Sequence, residues 1–243
     1  MPRFFVDPSR IGDGSVTIEG EDAKHISYSL RMAVGDTLTV CDGEGTDYEC
    51  RLAKMDGETV WADVVQRRAG ETESPAKIRL YMAFPKGDKL ETVVQKAVEL
   101  GASEIVPFVS ERCIRRPESA KAEKQTARLQ RIATEAAKQC GRSRLPRVGL
   151  PHSFAEMLRD TSDLRLFCYE GAGAESLKAV LDRIEGVPAT VAVAVGSEGG
   201  FSPAEAEAAE AAGFVSVNLG PRILRCETAP DFALSALCYR FEL

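Results

Sequence analysis

Two loops near the C-terminus carry the residues best suited to bind a small ligand. The first loop spans residues 196–202 and the second spans residues 219–229. Each follows a short apolar run that predicts a strand and precedes a segment with helix-start signals. Small ligands bind at loops that follow the carboxyl ends of strands in α/β sheets. Because these loops offer bare backbone amides, carbonyls and two arginines, they predict a nucleotide-like ligand held by the main chain, with cations near an anionic partner.

The first loop, Gly-Ser-Glu-Gly-Gly-Phe-Ser, does not match the common phosphate-binding signatures. It has no lysine, and its Glu198 would repel a pyrophosphate. Taken alone, the loop is also compatible with a plain strand-to-helix turn. The second loop places Arg222 and Arg225 three residues apart before a helix, where packing does not require them. Carboxylates or phosphates are the expected partners of such arginines.

The charge distribution predicts a local polyanion-binding segment. The net charge of −6 argues against a protein that binds nucleic acid over its whole surface. Residues 112–147, however, contain eleven Lys or Arg and only three acids, a local net charge of +8. A solvated helix face is the alternative, but so one-sided an excess favours contact with a polyanion.

Other classes of protein and of site are disfavoured by composition. No apolar run approaches the roughly 20 residues of a membrane span, and Asp7 interrupts the place of a signal peptide. We therefore expect a cytoplasmic protein without a membrane partner. The seven cysteines form no Cys-x-x-Cys pair, and only His25 and His152 accompany them. We expect no metal site and reduced, non-catalytic cysteines.

The first 70 residues predict a small β-barrel. Short alternating runs separated by Gly-Asp and Asp-Gly turn signals predict strands at 16–19, 37–40, 48–52 and 60–65, with one short helix at 25–32. A polar stretch at 67–75 predicts a linker. We therefore place one domain at 1–70 and a second at 76–243.

The second domain alternates strands with helices, which predicts an α/β fold with a mostly parallel sheet covered on both faces. Apolar runs predict strands at 78–84, 105–109, 164–169, 190–195 and 214–218. Helix signals include a capping box at Asp88 and Glu91, another at Ser202 and Glu205, and Thr228 as the cap of the last helix. Further helices are predicted at 121–140 and 175–184. Pro107 predicts an edge strand or a strand end.

The motif Gly-x-Glu-Gly-Gly-Phe-Ser followed by Leu-Gly-Pro-Arg-Ile-Leu-Arg-x-Glu-Thr-Ala resembles the signature of the 16S ribosomal RNA uridine N3 methyltransferases. These enzymes belong to the knotted SPOUT superfamily. The resemblance continues through 84–88, 94–101, 104–107, 135–142 and, in the small domain, 25–36, so it covers essentially the whole chain. The chain departs from the pattern at Ser197, Cys140, Cys226 and the Pro230-Asp231 pair.

The resemblance implies an N-terminal barrel similar to a PUA domain and a C-terminal α/β methyltransferase domain with a trefoil knot. It also implies S-adenosylmethionine as cofactor, with the adenine held between main-chain segments. The implied cofactor positions are Tyr169, Glu170, Gly196, Glu198, Gly199, Gly200, Leu219, Gly220, Ile223, Leu224 and Thr228. Leu219, Ile223 and Leu224 suit a plain core role equally well.

The implied chemistry is methylation of a uracil ring nitrogen. Loss of the N3 proton spreads negative charge onto O2 and O4, where a fixed cation would stabilise it. We assign this role to Arg225, with Arg222 as second choice. Glu198 is a candidate base, or alternatively a charge at a helix N-terminus.

The implied partner is 16S ribosomal RNA within the small ribosomal subunit. The expected RNA-binding residues are Arg3, Arg10, His25, Arg31, Arg112, Arg115, Arg116, Gln139, Arg142 and Arg144. Such enzymes usually form homodimers, and the last helix, with Phe232, Leu234, Leu237 and Phe241, is either that interface or ordinary core. Two alternatives stay open at this point: a knotted methyltransferase acting on another RNA, and a non-catalytic ribosome-assembly factor.

Overall fold

The computed structural model describes residues 1–117 and 119–243, with the backbone alone at Ser119. The chain divides into two compact units. Unit 1 comprises Met1–Glu73 and Ala137–Leu145, and unit 2 comprises Ser74–Ala136 and Pro146–Leu243. Residues 137–145, which the sequence-based boundaries place in the C-terminal domain, therefore pack with unit 1.

Unit 1 is built on one mixed sheet. Its strands are β1 Arg3–Phe5, β2 Ser15–Glu19, β3 Thr37–Cys41, β4 Thr46–Met55 and β5 Thr59–Ala69. Within the described residues their order is β1-β3-β4-β5-β2, with β1 parallel to β3 and every other pairing antiparallel. The small N-terminal β domain is confirmed. The predicted linker is wrong at its start, because β5 continues to Ala69 and pairs there with Thr46.

Alternate residues of these strands form the core of unit 1. Val16 and Ile18 of β2 and Leu38 and Val40 of β3 are almost fully buried. A short helix, α1 Glu21–Lys24, continues as a π-type turn over His25–Ser29. The predicted helix at 25–32 is therefore wrong in its start and its end, and the chain leaves the turn through Arg31 with a left-handed φ of 52°.

Unit 2 contains a sheet in which every pairing is parallel. Its strands are β6 Lys77–Ala83, β7 Ala102–Val109, β8 Arg147–Val148, β9 His152–Ser153, β10 Leu164–Cys168, β11 Glu175–Ser176, β12 Thr190–Val195 and β13 Val215–Asn218. Over the residues described, the order is β11-β13-β10-β12-β6-β7-β8, with β9 also beside β7. The prediction of a mostly parallel sheet is confirmed. The central strand β12 buries five of its six residues, as expected for a sheet with two covered faces.

The strand that contains Pro107 is not an edge strand. β7 pairs with β6 along one side and with both β8 and β9 along the other. β8 is opposite Glu104 and Ile105, and β9 is opposite Phe108 and Val109. Pro107 lies between the residues that face β8 and those that face β9. Because neither strand is opposite Pro107, the missing N–H of the proline leaves no residue of β8 or β9 without its hydrogen bond.

Helices connect the strands of unit 2. They are α2 Lys89–Glu99, α3 Ser119–Cys140, α4 Phe154–Met157, α5 Leu177–Asp182, α6 Pro203–Ala211 and α7 Thr228–Phe241. The last residues of α3 belong to unit 1. No helix of the described residues is long and apolar enough to cross a membrane.

The predicted helix caps have different outcomes. At α6 the capping box is confirmed: the Ser202 amide donates to Glu205 at 2.9 Å and the Glu205 amide donates to Ser202 Oγ at 3.3 Å. At α2 it is wrong, because the Asp88 side chain makes no cap bond and Glu91 instead pairs with Arg128 at 2.8 Å. Thr228 is the first residue of α7 rather than its cap.

The last helix contributes mainly to the core of unit 2. Leu234, Leu237 and Phe241 are buried within the chain. Phe232, in contrast, is 46% exposed on the outer face of the helix. Three of the four residues offered as a dimer interface are therefore core residues, and Phe232 is the one that faces outward.

Candidate active site

A pocket of about 670 Å³ lies at the carboxyl ends of strands β10, β12 and β13 in unit 2. It brings together twelve residues that the sequence singled out: Tyr169, Glu170, Gly196, Glu198, Gly199, Gly200, Leu219, Gly220, Arg222, Ile223, Leu224 and Arg225. Of the predicted cofactor and catalytic residues, Thr228 alone does not line the described part of this pocket. The parallel sheet explains the convergence, because its loops leave the same edge.

The first loop is tight because its glycines touch neighbouring atoms. A Cβ at Gly196 would lie 3.0 Å from the Gly200 Cα, and a Cβ at Gly199 would lie 2.9 Å from the Arg112 Cβ. Gly200 has a left-handed φ of 61°, and its amide closes the turn by donating to the Ser197 carbonyl at 2.9 Å. Glycine is therefore required for both the space and the backbone conformation of this loop.

The second loop presents two cations without internal partners. Gly220 turns the chain with a φ of 109°, and the Arg225 carbonyl accepts the amides of Thr228 and Ala229 at 2.9 Å each. The Arg222 and Arg225 side chains are exposed at the pocket and make no hydrogen bond or ion pair with any described residue. Their guanidinium groups can therefore bind an anionic ligand at the pocket.

Glu198 is held by the loop that follows β6. Its carboxylate accepts the Lys86 amide at 3.0 Å and the Lys89 ammonium at 3.1 Å. Although burial alone raises the pKa of Glu198, hydrogen bonds from its own amide, from Lys86 and from Lys89 together lower it. An ionised carboxylate with a lowered pKa is a weak proton acceptor, so the geometry favours a structural charge over a general base.

Among the pocket residues that the sequence did not predict for this site, Lys89, Ser197 and Arg112 carry polar groups that matter for its chemistry. Lys89 lies between Glu198 and Glu227, with its ammonium 3.2 Å from the Glu227 carboxylate. Ser197 has a buried Oγ with no partner among the described residues. Arg112, offered only as an RNA contact, lines the pocket and donates to the Gly199 carbonyl at 3.0 Å. Lys89 directly follows the 84–88 motif that carried part of the resemblance, and this position is the signal by which the sequence could have identified it.

Aromatic residues give one candidate surface for a base. Phe201 is 3% exposed, and its ring stacks on Phe167 with centroids 4.1 Å apart, so it supports the pocket wall and cannot receive a base. Tyr169 is half-buried at the pocket, and a Cβ at Gly171 would come within 2.3 Å of its ring. Tyr169 is therefore the better placed of the two aromatic side chains.

The seven cysteines, all of which the structure describes, form no disulfide bond. Burial raises the pKa of Cys226 to about 12 and that of Cys168 to about 12, so both remain thiols near neutral pH. No group of three or more metal-ligating side chains occurs in the part of the chain that the structure describes.

The predicted RNA-binding residues of unit 2 follow strand β7, and one of them, Arg112, lines the pocket. Arg115 donates to the Gly87 carbonyl at 2.6 Å, and Arg116 is exposed beside it. Glu118, one of the three acids in the basic segment, lies outside the described residues. These arginines, with Arg112, follow β7 and so lie at the same edge of the sheet as the two loops.

Two of the predicted RNA-binding residues of unit 1 form ion pairs with carboxylates inside that unit. Arg142 is 4% exposed, and its guanidinium pairs with Glu73 at 2.7 Å. Arg3 donates to both carboxylate oxygens of Asp47, at 2.7 and 2.9 Å. Their charge is neutralised inside the unit, so we do not retain these two arginines as phosphate contacts.

The other predicted contacts of unit 1 are accessible. Arg31, Gln139 and Arg144 are exposed. His25 is also exposed, with its ring edge against Phe4 at 6.3 Å between centroids. Arg10 pairs with Glu19 at 2.9 Å on the surface, where such a pair is weak enough to exchange for a phosphate.

Comparisons with known proteins fit this geometry. A family model described as an RNA methyltransferase domain matches residues 72–238, and one described as an RNA methyltransferase PUA domain matches residues 18–65. The ribosomal RNA small subunit methyltransferase E of Bacillus subtilis is 35% identical over 100% of this chain and 98% of its own length. This chain belongs to the ribosomal RNA small subunit methyltransferase E family. It is an RNA methyltransferase with a PUA-like domain, as the resemblance implied.

Solved members of this family share the fold. The Neisseria gonorrhoeae enzyme, bound to S-adenosyl methionine, is 32% identical with a TM-score of 0.87, covering 98% of this chain and 97% of that one. A Legionella pneumophila protein solved with bound SAM is 31% identical with a TM-score of 0.86, covering 98% and 96%. The predicted fold class is therefore confirmed.

The pocket of this chain fits such a cofactor. Gly196, Gly199 and Gly200 line the pocket without side chains, so their main-chain groups can hydrogen-bond an adenine edge. The buried Ser197 Oγ lacks a partner among the described residues and lines the same pocket. The pocket volume, the glycine backbone and a hydroxyl without a partner among the described residues agree with a nucleoside ligand.

Proposed function

We propose that this chain methylates N3 of a uridine in 16S ribosomal RNA, with S-adenosylmethionine as the methyl donor. The observation that carries the proposal is the pocket between the two glycine loops, which Arg222 and Arg225 line without an ion pair to any described residue. The family and its cofactor-bound members support the same conclusion.

The cofactor is held mainly by the backbone of the two loops. In this proposal the adenosine is contacted by Gly196, Gly199 and Gly200 of the first loop and by Leu219, Gly220, Ile223 and Leu224 of the second, while Tyr169 and Glu170 border it. Thr228 contributes through the start of α7 rather than through a pocket contact. The two loops and α7 are also where we place the trefoil knot that the family resemblance implies.

Arg225 stabilises the charge that develops on the substrate. Loss of the N3 proton leaves an anion delocalised onto O2 and O4, and a guanidinium beside either oxygen both stabilises this anion and lowers the pKa of the N3–H group. The proton then passes to water, since Glu198 is engaged with Lys86 and Lys89. When bound, the cofactor supplies an electrophilic sulfonium methyl, whose S–C bond breaks with its electron pair retained by sulfur as the N3–C bond forms.

The RNA approaches the pocket along the basic segment. Lys121, Lys124, Arg128 and Arg131 are exposed at successive positions of one face of α3. Because they repeat every three or four residues, they form a line of charge suited to a phosphodiester backbone. Arg112, Arg115 and Arg116 connect this face with the pocket, since Arg112 and Arg115 bond to the Gly199 and Gly87 carbonyls.

The two domains and the partners have the following roles in this proposal. The N-terminal region, 1–70, acts as a PUA-like RNA-binding domain through Arg10, His25 and Arg31, and 76–243 acts as the methyltransferase domain. Gln139 and Arg144, in the segment that packs with unit 1, are further RNA contacts. The substrate is the RNA within the small ribosomal subunit, in the cytoplasm. The enzyme acts as a homodimer, to which the exposed Phe232 contributes.

An Arg225→Ala variant tests the proposed role at the site. Labelled methyl transfer to small subunits lacking the modification is measured beside cofactor binding by calorimetry. We expect turnover to fall by roughly 10²–10³-fold, as for other oxyanion-stabilising groups, while the cofactor Kd stays unchanged. An equal loss of cofactor affinity would show that Arg225 builds the pocket instead of acting on the reacting uracil.

A further inference from the structure

We propose that Lys89 is a positioning residue that holds the two pocket loops in register for the cofactor. This inference rests on the proposed function, because it concerns the same pocket. Lys89 opens helix α2, which follows β6, so it belongs to neither glycine loop. Its ammonium lies 3.1 Å from the Glu198 carboxylate and 3.2 Å from the Glu227 carboxylate. One side chain therefore joins the first loop, the end of the second loop and the start of α2.

The loop before α2 is itself fixed to the same region. The Lys86 amide donates to Glu198 at 3.0 Å, and Arg115 donates to the Gly87 carbonyl at 2.6 Å. These two hydrogen bonds hold in place the backbone that precedes Lys89. Glu198, which accepts from both Lys86 and Lys89, is the point at which the first loop is attached.

The electrostatics fit a clamp better than a group acting on the substrate. The hydrogen bonds that the Lys89 ammonium donates to Glu198 and Glu227 raise the pKa of Lys89, so it stays charged, and the pKa values of both carboxyls are lowered. Because two carboxylates lie beside the one ammonium, the charge of Lys89 contributes little to stabilising a developing uracil anion. Arg222 and Arg225 have no such partners among the described residues, and they retain that role.

Substitution of Lys89 by methionine tests the clamp, with two matched variants. Lys89→Arg keeps the charge. Lys96→Met removes another lysine of the same helix, whose one ion pair with a described residue is the local pair with Glu99. We expect Lys89→Met to raise the Kd for S-adenosylmethionine about tenfold, which corresponds to about 1.4 kcal/mol. Lys89→Arg should recover most of the affinity, and Lys96→Met should bind as the wild type does.

Hydrogen exchange of the ligand-free proteins gives a second readout. Amides of residues 196–202 and 219–227 should exchange faster in Lys89→Met than in Lys96→Met, because opening of either loop no longer breaks an ion pair. In a double-mutant cycle, Glu227→Gln should weaken cofactor binding in the wild type but add little in Lys89→Met.

The outcomes separate this inference from the proposed function. If the wild type binds no S-adenosylmethionine, the proposed function fails, and the exchange of the two loops still decides whether Lys89 clamps them. If the wild type binds and Lys89→Met binds equally well with unchanged exchange, the clamp is refuted. Unchanged affinity with a large loss of turnover would instead assign Lys89 to the reaction itself and would also overturn the inference.

Discussion

Replacing Gly196 by alanine should damage the pocket more than replacing Gly200, although both glycines lie in the same loop. At Gly196 the added Cβ would lie 3.0 Å from the Gly200 Cα and 3.1 Å from the Gly200 carbonyl carbon. Carbon atoms prefer separations of about 3.5–4.0 Å. Both opposing atoms belong to the backbone, so the loop itself must widen by about 0.5 Å. The turn bond from the Gly200 amide to the Ser197 carbonyl, now 2.9 Å, would lengthen with it.

The expected magnitude follows from that overlap. Forcing one extra methyl group into a packed site costs about 1–3 kcal/mol. If the strain is relieved by distorting the loop, cofactor affinity should fall by roughly 5–150-fold, since about 1.4 kcal/mol corresponds to a factor of ten. At Gly200 the added Cβ meets no atom within 4 Å, and the cost is the left-handed φ of 61° alone. That conformation costs about 1–2 kcal/mol.

Calorimetric titration with S-adenosylmethionine, together with thermal melting, measures these effects. Gly14→Ala is a suitable control, because its Cβ also meets no atom within 4 Å and its backbone is not left-handed. We expect the affinity for S-adenosylmethionine to be highest in Gly14→Ala, lower in Gly200→Ala and lowest in Gly196→Ala. Wild-type affinity in Gly196→Ala would show that the loop is wider or more yielding than this geometry requires.

Three further predictions concern charges. Asp231 has a half-buried carboxyl whose Oδ1 lacks a partner among the described residues and whose pKa is raised by burial. Asp231→Asn should therefore raise the Tm by roughly 2–4 °C at pH 7, and this gain should vanish as the pH falls through that raised pKa; a lower Tm at pH 7 would contradict this. Burial alone raises the pKa of Asp47, but hydrogen bonds, led by that from Arg3, outweigh burial and lower it. Asp47→Asn should therefore destabilise unit 1 by about 3 kcal/mol above pH 4. The difference in urea midpoint between the wild type and the variant should narrow at lower pH as wild-type Asp47 is protonated, and a constant difference would exclude the ion pair as the cause. Replacing Arg115 and Arg116 by alanine should reduce the logarithmic salt dependence of RNA binding by about 0.7–0.9 for each phosphate that these side chains neutralise, and an unchanged slope would remove this patch from the RNA interface.

The fold was largely predictable because its signals are local. Apolar runs with helix signals between them specified the parallel sheet, and Ser202 with Glu205 specified the start of α6. Local signals failed where tertiary partners compete for a side chain. Glu91 fits a capping box in sequence, yet Arg128 takes its carboxylate at 2.8 Å. β1 escaped notice because three residues are too few to show a period.

The site was predictable where glycine and arginine mark it, and less so where distant contacts decide it. The two loops were found from their own residues. Lys89 joins them from the start of α2, and its partners Glu198 and Glu227 are more than one hundred residues away in sequence. Burial also decides between roles that a sequence leaves open. Arg142 looked like an RNA contact until its pairing with Glu73 placed it inside unit 1.

The identity of the methylated atom is the most direct test of the proposed function. The purified protein and labelled S-adenosylmethionine would be incubated with small ribosomal subunits from a strain that lacks this gene, and the product nucleotide would be mapped by nuclease digestion and mass spectrometry. We expect a single N3-methyluridine in 16S ribosomal RNA. Methylation of a different atom or a different RNA would contradict the substrate assignment, and the absence of any methylation on subunits that the protein binds would contradict catalysis altogether and favour an assembly factor.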